Sequence, residues 1–131
     1  MVPRGQVGRE CRSRLDQVYA AGRAGAIRLD GQNIFIYRAA TASELTVDFC
    51  VGVTAPFAAS GAVEPFATPA GVAAMVTHVG DYARLMEANE AVFAWCRAHG
   101  RSLAGPSWEV YGHMTPDPAE LRTDVYWLLK T

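Results

Sequence analysis

The sequence predicts an α+β domain in which one strand–helix–hairpin unit is used twice. Three observations carry this reading. Sliding the chain on itself by about 75 residues superimposes its two halves in residue type, the mark of an internal repeat. Two stretches, one opening at Arg9 and one at Asp81, carry apolar side chains at helical spacing. Each is followed by two short β-branched and aromatic runs of the kind that form strands. Two such units would pair into one antiparallel sheet with both helices on one face, related by a pseudo-twofold axis, with a ligand cleft between the repeats.

Taken in order, residues 1–8 are turn-like, broken by Pro3, Gly5 and Gly8, with Val2 to Arg4 as a short extended stretch. From Arg9 to Ala24, Cys11, Leu15, Val18, Tyr19 and Ala21 share one side of a helix that Gly22 and Gly25 end. Asp30-Gly31 reads as a turn, followed by a strand over 32–38 and a second over Thr46 to Val53, antiparallel to it. Residues 54–70, with Pro56, Gly61, Pro65 and Pro69, oppose both helix and central strand and read as a connector. Gly71 to Val79 is the next strand. Asp81 then caps a long helix whose apolar stripe includes Tyr82, Leu85, Val92, Trp95 and Cys96, and His99-Gly100 stops it. Met75, Met86 and Met114 read as gap-fillers, and Trp95 as core. Strands at Trp108 to Tyr111 and Thr123 to Leu129 complete the chain. The organisation is therefore one domain over 1–131, with repeat one at 1–53, the connector at 54–70 and repeat two at 71–131.

Composition excludes several classes. The chain of 131 residues has no room for a second folded domain. With 12 Lys+Arg against 13 Asp+Glu, the net charge of -1 lacks the basic footprint of nucleic-acid binding. Charges interrupt every apolar run well before the ~18 residues that a membrane span needs. Cys11, Cys50 and Cys96 are odd in number, lie far apart and share no metal-like spacing, so they read as free thiols in a reducing compartment. No signal-peptide pattern is present, which makes a cytoplasmic address the expectation. No phosphate-binding glycine loop, nucleophile elbow or metal cluster can be assembled, so no cofactor and no metal are expected.

What remains is one carboxylate set among rings. In a strand over Trp108 to Tyr111, alternation puts Glu109 and Tyr111 on one face and Trp108 and Val110 on the other. The repeat lays Phe35 on Glu109 and Tyr37 on Tyr111, so all four are expected to line one surface, with the acid in one repeat alone. A carboxylate beside aromatic faces suits a lipophilic cation. Tyr126 and Trp127 on the last strand complete the expected contact set with Trp108. His78 and His113 follow strands and are weaker acid/base candidates. The second repeat has a full strand before its helix while the first has Val2 to Arg4, an open edge that invites a homodimer or a compensating strand.

These residues also carry a family resemblance. His78-Val79-Gly80-Asp81-Tyr82, Trp95 with His99-Gly100, Gly105-Pro106 before Glu109-Val110-Tyr111, and Thr123-Asp124-Val125-Tyr126, in this order, resemble the GyrI-like small-molecule-binding domain, the effector-binding module of bacterial transcription regulators, here in stand-alone form. The resemblance implies a cleft for lipophilic, cationic or aromatic compounds, as in drug or toxin sensing and sequestration, with the ligand-contacting acid at Glu109 and an aromatic at Tyr126. It also implies two alternatives. One is a cofactor-free hydrolase that opens cyclopropane-type electrophiles, with Glu109 activating water and Tyr111 or Tyr126 polarising the leaving oxygen. The other is a gyrase-modulating interaction protein, which would act through its outer surface.

Overall fold

The computed structural model describes residues 2–3, 6–25, 27–59, 61, 63–112 and 115–131, with the backbone alone at residue 40. Its fold class is α+β. The chain divides into two compact units, Met1–Thr68 and Pro69–Thr131.

The first unit contains β1 (Val2–Pro3), α1 (Val7–Arg23), β2 (Leu29–Ala40) and β3 (Glu44–Val53). β3 lies between its neighbours, antiparallel to both: Val2 pairs with Leu45 and Pro3 with Glu44, while Phe35 pairs with Phe49 and Tyr37 with Val47. Asp30-Gly31 does not precede β2 as the expected turn but lies inside it as a bulge. Leu29 pairs with Val53 and Asn33 with Val51, so β2 takes two more residues than β3 over this span. The Asp30 carboxylate accepts the Gln32 N–H at 2.8 Å, and Gly31, at φ 85°, supplies the left-handed step. The same carboxylate explains Gly52 on β3, where a Cβ would collide with Asp30 Oδ2. α1 packs on β3, and the Tyr19 hydroxyl donates to Asn33 Oδ1 on β2, so the helix covers the face that carries Asn33, Phe35 and Val51.

The second unit contains β4 (Ala73–Val79), a 3-10 turn at Tyr82–Arg84, α2 (Leu85–Ala98), β5 (Leu103–Tyr111), a second 3-10 turn at Pro118–Glu120 and β6 (Arg122–Leu129). Here β6 lies between β4 and β5, antiparallel to both. Asp81 caps as its sequence suggests, its carboxylate accepting the Ala83 N–H at 2.8 Å, but a 3-10 turn intervenes before α2 begins. Val92, Cys96 and Leu129 form a buried cluster, and Ala74, Val76, Phe93, Leu103 and Trp127 pack against it. The Trp127 indole donates to Asn89 Oδ1 at 2.9 Å, which ties β6 to the helix.

Several expectations change. Trp95 is not core: it is 43% exposed and stacks on His99, with ring centroids 4.3 Å apart. Met75 and Met86 are surface residues rather than gap-fillers, and Arg4, His113 and Met114 lie outside the described residues. Period alone overstates a helix's apolar face, since a wide stripe leaves its margins in water. The three cysteines are free thiols, with Cys96 buried. Among the described residues no helix is long and apolar enough to cross a membrane.

Candidate functional site

β5 brings the carboxylate to its position. Ser107, Trp108 and Glu109 are all buried, and Glu109, at 8% exposed, is the one carboxylate in the buried set of the described chain. Burying a carboxylate is costly unless donors meet it. The Tyr111 hydroxyl, two residues along on the same face, donates to Glu109 Oε1 at 2.8 Å. Tyr82, from the turn that opens α2, meets the Tyr111 ring edge-on at 5.3 Å and 89°, which holds the phenol in place.

The register shows what shares that face. Glu109 lies opposite Val125 and Tyr111 opposite Thr123, while His78 on β4 lies opposite Thr123 from the other side. Thr123 is fully buried, and its hydroxyl oxygen has no hydrogen-bond partner among the described residues. Trp127 is on this face too, opposite Ser107, with its ring edge-on to Phe93 at 4.9 Å. Trp108 and Tyr126 are not: they are cross-strand partners on the opposite face, stacked parallel at 5.2 Å. Phe35 and Tyr37 share a face of β2 in the first unit, where Phe35 meets Phe49 edge-on at 5.2 Å.

Of the residues singled out from the sequence, the structure thus brings Glu109 and Tyr111 into direct contact and keeps Trp127 on their face. It separates Trp108 and Tyr126 from them by the thickness of the strand. His78 is tied by its Nε2 to the Asp81 carbonyl at 3.0 Å, a link that orders the turn before α2. Tyr82 and Thr123 were not singled out. Tyr82 reads as part of the helical stripe, and Thr123 becomes visible when the β5–β6 register places it against Tyr111. Among the described residues no group of three or more His, Cys, Asp or Glu could hold a metal ion. Chemically the arrangement offers one buried acid, a phenol that can donate to it, and ring edges around both.

The comparisons with known proteins agree with this architecture. No curated protein matches the sequence. Among solved structures, the EcmrR chain in the cryo-electron microscopy structure of the EcmrR–DNA complex in EcmrR-RPo superimposes with a TM-score of 0.77 at 21% identity, over 99% of this chain and 51% of that one. The chain therefore spans about half the length of that protein. The crystal structure of the EcmrR C-terminal domain gives a TM-score of 0.72 at 21% identity, over 92% of this chain and 84% of that one. At this identity the likeness is one of fold. The sequence profile of the GyrI-like small-molecule-binding domain matches residues 32–130, a span that runs from within β2 through β3 and every element of the second unit, and the chain belongs to that family.

Proposed function

We propose that this domain binds lipophilic small molecules that carry positive charge or a planar aromatic surface, and that Glu109 is the group that reads the charge. The observation that carries the reading is a buried carboxylate whose neighbours on the same face are phenols. A carboxylate out of water attracts a cation far more strongly than an exposed one does. Ring faces and edges can replace the water a lipophilic cation gives up. Tyr111 orients the carboxylate and Tyr82 orients Tyr111. Trp127, on the same face of the second unit, is carried as a further candidate contact. Sensing or sequestering a toxic compound is the use that fits.

The test is calorimetric titration with tetraphenylphosphonium and with the neutral triphenylphosphine oxide. Glu109→Gln keeps shape and removes charge, so affinity for the cation should fall about 10- to 100-fold, the ~1.5–3 kcal/mol of a charge-assisted contact. The neutral compound should bind the two proteins alike. Equal loss for both compounds would show that the acid organises the protein and does not read charge. A cyclopropane-bearing electrophile is added as a third arm, followed by mass spectrometry of the small molecule. Conversion by wild type to a product one water heavier, with Glu109→Gln binding the compound and leaving it intact, would replace the binding reading by a hydrolytic one.

A further inference from the structure

The first unit contains a cavity of about 610 Å³ whose described lining residues all fall between Arg14 and Phe66, and none of these is a candidate for the Glu109 site. We infer that this cavity is a second small-molecule site, for neutral aromatic compounds. The inference does not rest on the function proposed for Glu109.

Its position follows from strand pairing. The lining includes five consecutive residues of β3, Val47 to Val51, and consecutive residues of a strand point to opposite faces. A cavity can touch both faces by wrapping round the strand's flank. One flank of β3 is paired with β2 over its length, so the cavity follows the other, where β1 pairs at Glu44 and Leu45. In the second unit the corresponding flank of β6 is paired with β4 from Arg122 to Leu128. The cavity thus occupies, beside β3, the place that β4 fills beside β6. Its far wall comes from the connector, through Phe57, Val63 and Phe66.

The walls define the ligand. A volume of this size matches the ~300–1,000 Å³ of small-molecule sites. Phe49, Phe57 and Phe66 offer ring surface, and Phe66 is left 57% exposed. The lining carries two charges of each sign, Arg14 and Arg38 against Asp48 and Glu64, and Arg38 Nη2 donates to Asp48 Oδ1 at 2.9 Å, so a net ion gains little here. Asp48 Oδ2 is buried and lies 2.8 Å from Arg38 Nε, so this carboxylate is held in the wall by Arg38 and is not offered to a ligand.

N-phenyl-1-naphthylamine, a neutral diaryl amine whose fluorescence rises in apolar surroundings, is the probe. Wild-type protein should give a saturable signal with one site. Val47→Trp fills the cavity from β3 and Val63→Trp fills it from the connector, and each should weaken binding at least about tenfold while circular dichroism and the melting curve show a folded chain. Two fillings from different elements guard against one variant failing to fold. Absence of saturable binding, unchanged affinity in both filled variants, or loss of the signal in Glu109→Gln with retention in both filled variants would each overturn the assignment.

Discussion

The two units share a connectivity and differ in what lies beside their middle strand. In each, a strand leads to a helix, the helix to a hairpin, and the last strand of the hairpin lies between the other two. In the second unit a seven-residue β4 pairs along β6, and Val92, Cys96 and Leu129 close a core under α2. In the first unit β1 is two residues long, and a cavity follows the same flank of β3. The difference teaches that one complete outer strand decides whether a helix sits on a filled core or over a space. The filled unit also carries the buried carboxylate, since a group so costly to bury needs rigid surroundings to hold its donor in line.

The largest test of this contrast is truncation of the two interiors. Leu129→Ala removes a side chain from the closed core and should destabilise the protein by about 2–5 kcal/mol. Val47→Ala, on the cavity wall, removes contacts that are already incomplete and should cost less than about 1.5 kcal/mol. Urea denaturation followed by circular dichroism measures both. Equal costs would mean that the first unit is packed as densely as the second.

A smaller effect concerns the thiols. Burial, and the Asp48 carboxylate after it, push the Cys50 thiol up to about 11. The thiolate is the reactive form, so alkylation of Cys50 by iodoacetamide should rise about tenfold per pH unit from 7 to 10 without a plateau. Cys96, which is 4% exposed in the closed core, should stay unmodified while the chain is folded, and peptide mass spectrometry separates the sites. The sign for stability follows from the same shift. The unfolded thiol loses its proton near 9.0 and the folded one near 11, so the unfolded chain binds fewer protons between them. Stability should therefore fall as pH rises through that window, and Cys50→Ala should remove this part of the fall. A Cys50 rate that levels off near pH 9 would mean an open flank with ordinary solvation.

How much of this was legible from residues alone depends on the distance over which each signal acts. Periodicity is local, so both helices and the order of strands along the chain follow from it, and alternation alone puts Glu109 and Tyr111 on one face. The same alternation sends Trp108 to the other face, so its nearness to Glu109 along the chain does not make the two one cluster. The stacking of Trp108 on Tyr126 depends on the β5–β6 register, which the hairpin loop sets and composition does not show. Asp30-Gly31 has the same dihedral requirement in a turn as in a bulge, so sequence could not separate the two. The exposure of Trp95 and Met86 depends on which edge of the α2 stripe faces β4 and β6, a tertiary fact. The cavity had a sequence sign, the short strand at Val2, but its walls come from a connector with no periodicity to read.

The smallest expected effect compares how the two helices are fastened. Each unit uses one asparagine carboxamide. In the first, Tyr19 on α1 donates to Asn33 on β2; in the second, Trp127 on β6 donates to Asn89 on α2, and the Asn89 amide donates onward to the Leu85 carbonyl at 3.2 Å. Tyr19→Phe removes a donor at a half-buried position where water can reach Asn33, so it should cost about 0.5–1.5 kcal/mol, the net value of one hydrogen bond. Asn89→Ala removes an acceptor and a donor together and leaves the Trp127 N–H facing a helix, at about 1–3 kcal/mol. Burial, with Asp30 adding to it, raises the Tyr19 phenol above its usual range, so this contact holds its proton into alkaline pH and the ranking should persist there. Thermal melts of the two variants at pH 7 and pH 9 decide the matter. If Tyr19→Phe proves the costlier at both, the first unit leans on that one contact to hold α1 over its cavity.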